Sequence, residues 1–497
     1  MKYTMKKNKE EIIQKIRRLE SKKERIRQKN KKKRRKNDNL ICRDNVEAPR
    51  RFTRINVSES RSKKEILEIR DNLISSLMPI NLSYLISHPE SPFNLIQITK
   101  NKFSTNGKII IPEIFSIMDN SVETYLTIKK IISALLIERN TKVILDYAKC
   151  NKVDLSTQVI LDIILQDFFL FTKKCQQNNK NIVGIFPLTI GGKNIINKEI
   201  QKLLFSVGSP SVLTNDHRQY DDIISYSLCV HEVDNLKDPL RKSERKDLDT
   251  TALVDYVQDS LFRMKKVLTP EKLDDLCIVI GEILINAEEH STTKFRFSIG
   301  YFEEKKEGDK HFGVFRLVIL NFGQTIYEKF KDPDCPNKEI VTKMKNLSES
   351  YTKRNLLLRK TFEEESLWTL YALQQGVTSI PPTEYRKRGN GSIQFIESFF
   401  NIKESVEADD FSRMLIISGN TKIIFDGSYC IQEKEIENQN FKVMTFNTSG
   451  NIEDKPDNKF IKYMDNYFPG TLISAKILLN DDDFSTKPIN ELNYETK

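Results

Sequence analysis

The strongest constraint on the fold is an alternation of strand-like and helix-like segments between residues 107 and 208. Short apolar segments rich in β-branched residues predict buried strands at residues 107–112, 142–148 and 181–187. Amphipathic patterns predict helices at residues 121–138, 156–175 and 197–208. Strands and helices that alternate at this spacing predict a small α/β layer domain.

The rest of the chain predicts a second domain, because 497 residues exceed one ordinary domain. Its pattern predicts helices at 250–267 and 270–289, a β-hairpin at 295–302 and 313–320, and a long helical stretch at 339–375. A second hairpin is predicted to turn at Ser418–Asn420, and residues 470–479 alternate like a last strand. The predicted division is an α/β domain at 41–212, a polar linker at 213–246, an α+β domain at 247–480 and an acidic tail at 481–497.

The basic charge of the chain belongs to residues 1–40. This arm contains 18 Lys/Arg and 5 Asp/Glu, whereas the whole chain carries +11, so the remainder carries −2. Such an arm could neutralise phosphates on nucleic acid, dock on an acidic partner or act only as a solubilising tail, disordered or transiently helical. The sequence leaves these alternatives open.

Several classes of protein are not expected. The N-terminus lacks the apolar core of a signal peptide, and no run reaches the roughly 18 apolar residues that span a bilayer. The seven cysteines lie far apart without a CxxC pair, which predicts reduced thiols and no zinc site. We therefore expect a cytoplasmic protein without membrane insertion.

One apolar helix carries polar residues that need partners. In GEILINAEEHS, Gly281–Ser291, Glu282 and Asn286 lie one helical turn apart and share a face with Glu289 or His290. Burial of a carboxylate and an amide is costly unless something pairs with them. A hydrated Mg²⁺ with nucleotide phosphates would do so, because magnesium prefers oxygen ligands and Asn286 can supply one. Glu282 could then orient or deprotonate an attacking water or hydroxyl.

This E-x-x-x-N-A pattern, followed by H-S, resembles the N-box of the GHKL ATPases. That superfamily includes gyrase, the mismatch-repair ATPases, histidine kinases and anti-sigma-factor serine kinases. A second segment, VILNFGQTI at 318–326, resembles the family's D-x-G-x-G turn, whose acid binds the adenine amino group. Here Asn321 stands at the acid position, Gly323 at the first glycine and Thr325 at the second. Asparagine keeps an acceptor for an amine but loses the charge assistance.

A third segment, YRKRGNGSIQFIESFF at 385–400, resembles the G2 box of the same family. There, glycines allow the backbone to approach the triphosphate just before a helix, and Gly389 and Gly391 match them. The free N–H groups of the following helix favour an anion, and Arg388 and its basic neighbours add cationic donors. Three motifs in the family's order extend the resemblance over residues 247–480.

The resemblance implies a two-layer α/β sandwich that binds ATP and Mg²⁺. It implies that Glu282 is the catalytic base and that Asn286 holds the metal. The implied nucleotide contacts are Asn286, His290, Asn321, Gly323, Thr325, Arg388, Gly389, Asn390 and Gly391. A conventional histidine kinase is not expected, because no dimerisation helix with an obvious phospho-acceptor histidine precedes this region.

A weaker resemblance concerns residues 93–210, which are similar to the STAS fold of anti-sigma-factor antagonists. In VILDYAKCNKVDLSTQVILDIIL, 143–165, a strand is followed by an acid and a serine that open a helix. Some relatives are phosphorylated at this serine, and Ser156 is the matching position. Alternatively, Asp154 or Ser156 only caps the helix by accepting backbone N–H bonds.

The expected function is that of a Mg-ATP-binding regulator, in which a STAS-like domain is fused to a GHKL-type domain. It would use ATP hydrolysis or Ser/Thr phosphotransfer to control a protein partner, and it could form a homodimer. One alternative is a nucleotide-gated clamp that holds nucleic acid through residues 1–40. Another is a degenerate ATPase fold that serves as an interaction scaffold, as the changes at Asn321 and Thr325 allow.

Overall fold

A computed structural model of the chain describes residues 63–178, 185–212, 220–232, 239–289, 291–352, 361–381, 389–403, 412–436 and 439–480. Inside α-helix and strand segments it leaves a few side chains undescribed, including those of Glu282 and Asn286. The predictions for the basic arm and the acidic tail lie outside the described residues. From Ile66 onward the chain forms one compact unit. The division into two domains therefore stays a prediction.

The first region, residues 63–212, alternates helices with short parallel strands. Its helices are α1 Lys63–Leu77, α2 Ile80–Ser87, α3 Leu95–Lys100, α4 Ser121–Leu136, α5 Leu155–Gln177 and α6 Lys198–Ser206. Its strands are β1 Lys108–Ile110, β2 Ile114–Phe115, β3 Lys142–Asp146, β4 Lys152–Val153 and β5 Thr189–Lys193. Strands β1, β3 and β5 form one parallel sheet in that order, and β2 pairs with β4. Parallel neighbours need crossover connections, which the helices supply.

Helix α5 forms the centre of this region. It has 23 residues and begins after Asp154, whose carboxylate accepts a hydrogen bond from the backbone N–H of Ser156. Its length and composition would also suit a membrane span, but 78% of its apolar window is buried inside the protein. A helix that is apolar nearly all round belongs in a core when other elements cover it.

The second region is built on a five-stranded antiparallel sheet. Its strands are β6 Ile223–Glu232, β7 Ser291–Glu307, β8 Lys310–Gly323, β9 Arg413–Phe425 and β12 Ile461–Asn480, in the order β6-β7-β8-β12-β9. A separate hairpin pairs β10 Gln432–Ile436 with β11 Gln439–Val443. The helices are α7 Pro239–Arg263, α8 Pro270–Glu289, α9 Ile326–Lys331, α10 Lys338–Thr352, α11 Glu364–Tyr371 and α12 Gly391–Lys403.

Both faces of this sheet are buried, so its central strands are apolar on both sides. On β8, Phe315 and Ile319 pack with helices α7, α8, α11 and α12 in one core. Leu320 and Phe322 belong to a second core that continues into the first region. Successive side chains of a strand point to opposite faces, which divides the residues in this way. The mixed α/β class predicted from the sequence is confirmed, and the two regions share a hydrophobic core.

Several segments differ from their predictions. The third parallel strand lies at Thr189–Lys193 and not at 181–187, and the described part of the stretch 339–375 contains two helices, Lys338–Thr352 and Glu364–Tyr371. The predicted hairpin at Ser418–Asn420 is wrong, because Arg413–Phe425 forms one strand along β12. The turn-like Ser-Gly-Asn sequence instead gives a register shift, and Gly419 adopts a φ of 59° there. Part of the segment predicted as a linker, 213–246, belongs to the sheet as β6, which pairs antiparallel with β7.

Gly470 holds β12 against β8 at the end of the sheet where Asn321 lies. Its φ is 149°, and a Cβ atom there would lie 2.1 Å from the backbone oxygen of Asn321. We expect Gly470→Ala to lower the free energy of unfolding by about 3 kcal/mol, since it adds a backbone clash to a strained φ. Urea unfolding measures this.

The matched control is Gly208→Ala, because Gly208 also has a positive φ, 69°, but nothing lies within 4 Å of its added Cβ. Its cost should be limited to the conformational strain, about 1 kcal/mol. Equal costs for the two variants would show that β12 can move away from β8 and that the close approach at Gly470 is not required.

Candidate functional site

Helix α8 brings the predicted N-box to a cavity at one end of the five-stranded sheet. Ile283 and Ala287 of this helix line the cavity. Glu282 and Asn286 directly precede these two residues in the same helix, but their side chains are not described. His290 and Arg388 lie outside the described residues. The backbone of the N-box helix is thus at the cavity, and the roles of these four side chains stay predictions.

Asn321 places a polar side chain in the wall of this cavity. It lies on β8, its side chain is only 3% exposed, and it lines the cavity. Its Nδ2 atom is buried and has no hydrogen-bond partner in the described structure. An unpartnered buried amide is costly, which makes Asn321 suited to a ligand that accepts a hydrogen bond.

Two further polar residues, on the two neighbouring strands, form a row with Asn321 across the sheet. Thr471 on β12 lies opposite Asn321 on one side and opposite Ser418 on the other. The hydroxyl groups of Ser418 and Thr471 are 3.0 Å apart, and Ser418 Oγ also accepts from the backbone N–H of Ile326 at 2.9 Å. The sequence prediction missed this row. A threonine in the apolar strand 470–479 was the signal that could have found Thr471.

The predicted turn after β8 lies at the same cavity. Gly323 is the last residue of β8, and Thr325 is the N-cap of α9. The Thr325 hydroxyl accepts from the backbone N–H of Glu328 at 3.1 Å, and the Glu328 carboxylate accepts from the Thr325 backbone N–H at 2.8 Å. This capping box uses the Thr325 hydroxyl to start a helix. Thr325 therefore lines the cavity with a hydroxyl that already has a structural partner.

The glycines of the predicted G2 box lie at the same cavity. Gly389 and Gly391 both line the cavity, and Gly391 begins helix α12. Gly389 has a φ of 95°, and a Cβ there would lie 2.7 Å from the carbonyl carbon of Gly376. The Asn390 carbonyl accepts from the backbone N–H of Gln394, so Asn390 precedes the first turn of the helix. The N–H groups of that turn favour an anion.

The cavity has a volume of about 180 Å³ and combines apolar walls with a few polar groups. Apolar side chains come from three helices and the loop after α11: Ile283, Phe330, Leu373, Val377 and Phe395. Polar groups besides Asn321 include Gln324, Thr378 and Ser379. Apolar walls with a small number of placed polar groups are typical of small-molecule sites.

Ser156 is in a different place and is fully buried. Its backbone N–H and its hydroxyl both donate to the Asp154 carboxylate, which caps α5. The capping interpretation is therefore confirmed for Asp154. A kinase could reach the Ser156 hydroxyl only if the start of α5 opened, and its phosphorylation stays a prediction.

The cavity thus joins segments that are far apart in the sequence: helix α8, the end of β8 with Asn321, and the start of α12 with Gly391. It offers an unpartnered amide and the N-terminus of a helix. Such an arrangement can hold a ligand with a polar ring edge and an anionic group. No protein-family model, curated protein or solved structure matches this chain.

Proposed function

We propose that the chain binds a magnesium-bound nucleotide, ATP in the first instance, in the cavity between α8, β8 and α12. The observation that carries the proposal is the joint position of Asn321, Gly389 and Gly391 in one cavity with the N-box helix. Three segments that are far apart in the sequence converge on this cavity, which also contains an unpartnered buried amide. A nucleotide would supply a base edge for that amide and phosphates for the helix N-terminus.

Each segment receives one role in this proposal. Asn321 contacts the edge of the base, and its Nδ2 group would donate to a ring nitrogen or carbonyl of the base. The backbone at Gly389 and Gly391 approaches the phosphates, where Arg388 adds positive charge. Asn286 supplies an oxygen to Mg²⁺, and Glu282 orients or deprotonates the attacking group.

The proposed activity follows from the GHKL resemblance. The protein would act as a regulator that hydrolyses ATP or transfers its γ-phosphate to a serine or threonine of a protein partner. Both reactions need the same groups, because each requires a held Mg-triphosphate and a base beside the attacking oxygen. The choice between them depends on whether water or a partner's hydroxyl reaches the phosphate.

Binding of the nucleotide tests this proposal directly. We expect Mg-ATP to raise the melting temperature of the full chain, and Asn286→Ala to remove most of this rise because Mg²⁺ loses a ligand. EDTA should have the same effect on the wild-type protein. The matched control is Asn178→Ala, which changes an exposed asparagine at the end of α5 and should leave the response unchanged.

Two results would contradict the proposal. One is the absence of any response to a panel of Mg-nucleotides, which would favour the scaffold hypothesis. The other is an equal response of wild type and Asn286→Ala. Phosphate release that is lost in Glu282→Ala would then separate an enzyme from a protein that only binds the nucleotide.

The scaffold hypothesis keeps one supporting observation. The Thr325 hydroxyl is used to cap α9 at the position where the family has a flexible glycine. A capped helix makes the turn more rigid at this point. A rigid turn suits a fixed binding surface better than a segment that moves during a reaction. A degenerate ATPase fold that has lost the glycine turn of the family would agree with this feature.

A further inference from the structure

The wall of the cavity between α8, β8 and α12 contains a second buried polar group without a partner, the hydroxyl of Ser379. This residue lies in the loop after α11, lines the cavity and is only 2% exposed. Among the buried side-chain nitrogen and oxygen atoms of this wall in the described residues, only Asn321 Nδ2 and Ser379 Oγ lack a hydrogen-bond partner. Buried polar groups are normally hydrogen-bonded, so an exception at a cavity indicates a partner that binds there.

The other buried or half-buried threonine hydroxyls of the same wall have partners inside the protein. Thr378 Oγ1 donates to the carbonyl of Ile380 at 3.1 Å and accepts from the backbone N–H of the same residue at 3.3 Å. The Thr325 hydroxyl caps α9, and the Thr471 hydroxyl has a partner on the neighbouring strand. Ser379 differs from these three residues because its hydroxyl is buried and unused.

Backbone contacts hold Ser379 in place. Its carbonyl accepts from the backbone N–H of Asn337 at 3.1 Å and from Cys335 Sγ at 3.7 Å. The side chain of Asn337 also donates to the carbonyl of Thr378 at 2.9 Å. The loop is thus fixed by hydrogen bonds that leave the Ser379 hydroxyl out. A group whose position is fixed before binding loses little conformational entropy when it contacts a ligand.

The apolar side chains around this part of the cavity cannot satisfy the hydroxyl. Phe330, Leu373 and Val377 line the same cavity and offer no hydrogen bond from their side chains. An unpaired hydroxyl in such surroundings costs free energy, which a polar group of a ligand would recover. Because a hydroxyl both donates and accepts, it can pair with either kind of group on a nucleotide.

We propose that the Ser379 hydroxyl is a second hydrogen-bonding contact to the nucleotide bound in this cavity, in addition to Asn321. The inference rests on the proposed nucleotide function. It adds a binding residue from a segment that none of the three motifs includes, since Ser379 lies between the second motif at 318–326 and the third at 385–400. The role of Ser379 is to bind, so its loss changes affinity.

Ser379→Ala separates this role from a structural one. Calorimetric titration with Mg-ATP should show an affinity about 3- to 10-fold lower than that of the wild type, as expected for the loss of one hydrogen bond. Without nucleotide, the midpoint of urea unfolding should stay the same or rise, because the variant no longer buries an unpartnered hydroxyl.

The matched control is Ser348→Ala. Ser348 is also buried and does not line the cavity, and its hydroxyl accepts from Trp368 Nε1 at 3.0 Å and donates to the Lys345 carbonyl at 3.0 Å. Its removal leaves the buried indole N–H without this partner, so the midpoint of urea unfolding should fall. The affinity for Mg-ATP should equal that of the wild type.

The two proposals can fail separately. A wild type that did not bind Mg-ATP would overturn this inference together with the proposed ATP site. Binding of Mg-ATP that Ser379→Ala left unchanged would overturn the Ser379 contact alone. A fall in the urea midpoint of Ser379→Ala as large as that of Ser348→Ala would also overturn it, because the hydroxyl would then be structural.

Discussion

Asn321→Leu should have two effects of opposite sign, a more stable protein and a weaker nucleotide site. The Nδ2 atom of Asn321 is buried without a partner, so its removal should raise the free energy of unfolding of the unliganded protein by about 1–3 kcal/mol. The same change removes the hydrogen bonds to the base. Nucleotide affinity should fall by about 10- to 100-fold, because loss of this contact leaves a polar edge of the base unpaired in a mostly apolar cavity.

Urea unfolding and calorimetric titration with Mg-nucleotide measure these two quantities separately. The matched control is Asn94→Leu, because Asn94 is also buried but its side chain accepts from Ile96 N and Gln97 N and donates to His88 O. Asn94→Leu should destabilise the protein by about 1–2 kcal/mol and leave nucleotide affinity unchanged. If Asn321→Leu also destabilised the protein and left affinity unchanged, Asn321 would be a structural residue and the proposed base contact would be lost.

The second large effect concerns stability at alkaline pH. Asp162 lies fully buried in α5, where its Oδ1 accepts from Ser209 Oγ at 2.6 Å and from Gln158 Nε2 at 2.8 Å. Burial raises the pKa of Asp162 to about 7, against about 3.9 in an unfolded chain. We expect Asp162→Asn to raise the free energy of unfolding at pH 8 by about 2–4 kcal/mol, because the amide keeps the acceptor without the buried charge.

The sign follows from proton binding. The folded state holds this proton more tightly than the unfolded state, so the contribution of Asp162 is full below about pH 4 and is lost as the pH rises to about 7. The stability advantage of Asp162→Asn over wild type should therefore be smaller at pH 5 than at pH 8. Asp167 and Glu365, whose pKa values burial raises to about 6 and about 7, add a slope of the same sign to both proteins.

Chemical denaturation at the two pH values measures this difference. Asp465→Asn, the same change of side chain at an exposed position, is the matched control. An Asp162→Asn protein that gained no stability between pH 5 and pH 8 relative to wild type would show that Asp162 is ionised in the fold at little cost.

Local sequence patterns predicted most helices and strands of this protein. Residues 270–289 were predicted as a helix with the bounds that the structure gives. The predicted strand at 470–479 lies within β12, which extends it to 461–480. In both segments the period of the apolar residues is a local property, and it determines which faces the element can bury.

Other elements could not be predicted from local pattern. Strand β6 lies between polar segments that led to its prediction as part of a linker, and its pairing with β7 holds it as an edge strand. The Ser-Gly-Asn sequence at 418–420 favours a turn locally, but the length of β12 supplies a partner beyond it and keeps β9 continuous. In each case a contact with a distant segment outweighs the local preference.

The residues of the candidate site also fall into two groups, those that a local sequence pattern indicates and those that it does not. The motif spacing alone indicated Asn321, Gly389 and Gly391, because glycines before a helix and an amide at a strand end have local signatures. Thr471 and Ser418 have no such signature, since their position beside Asn321 depends on the register between strands.

The sequence by itself determined the mixed α/β class, the position of most elements and the residue types that a nucleotide would need. Only the tertiary structure decided that α8, Asn321 and Gly391 meet at one cavity. It also decided that Arg316 on β8 pairs with Lys476 on β12, on the other face of the same sheet. The physical reason is that periodicity is written within each segment, whereas strand order and register arise from packing between segments that are far apart along the chain.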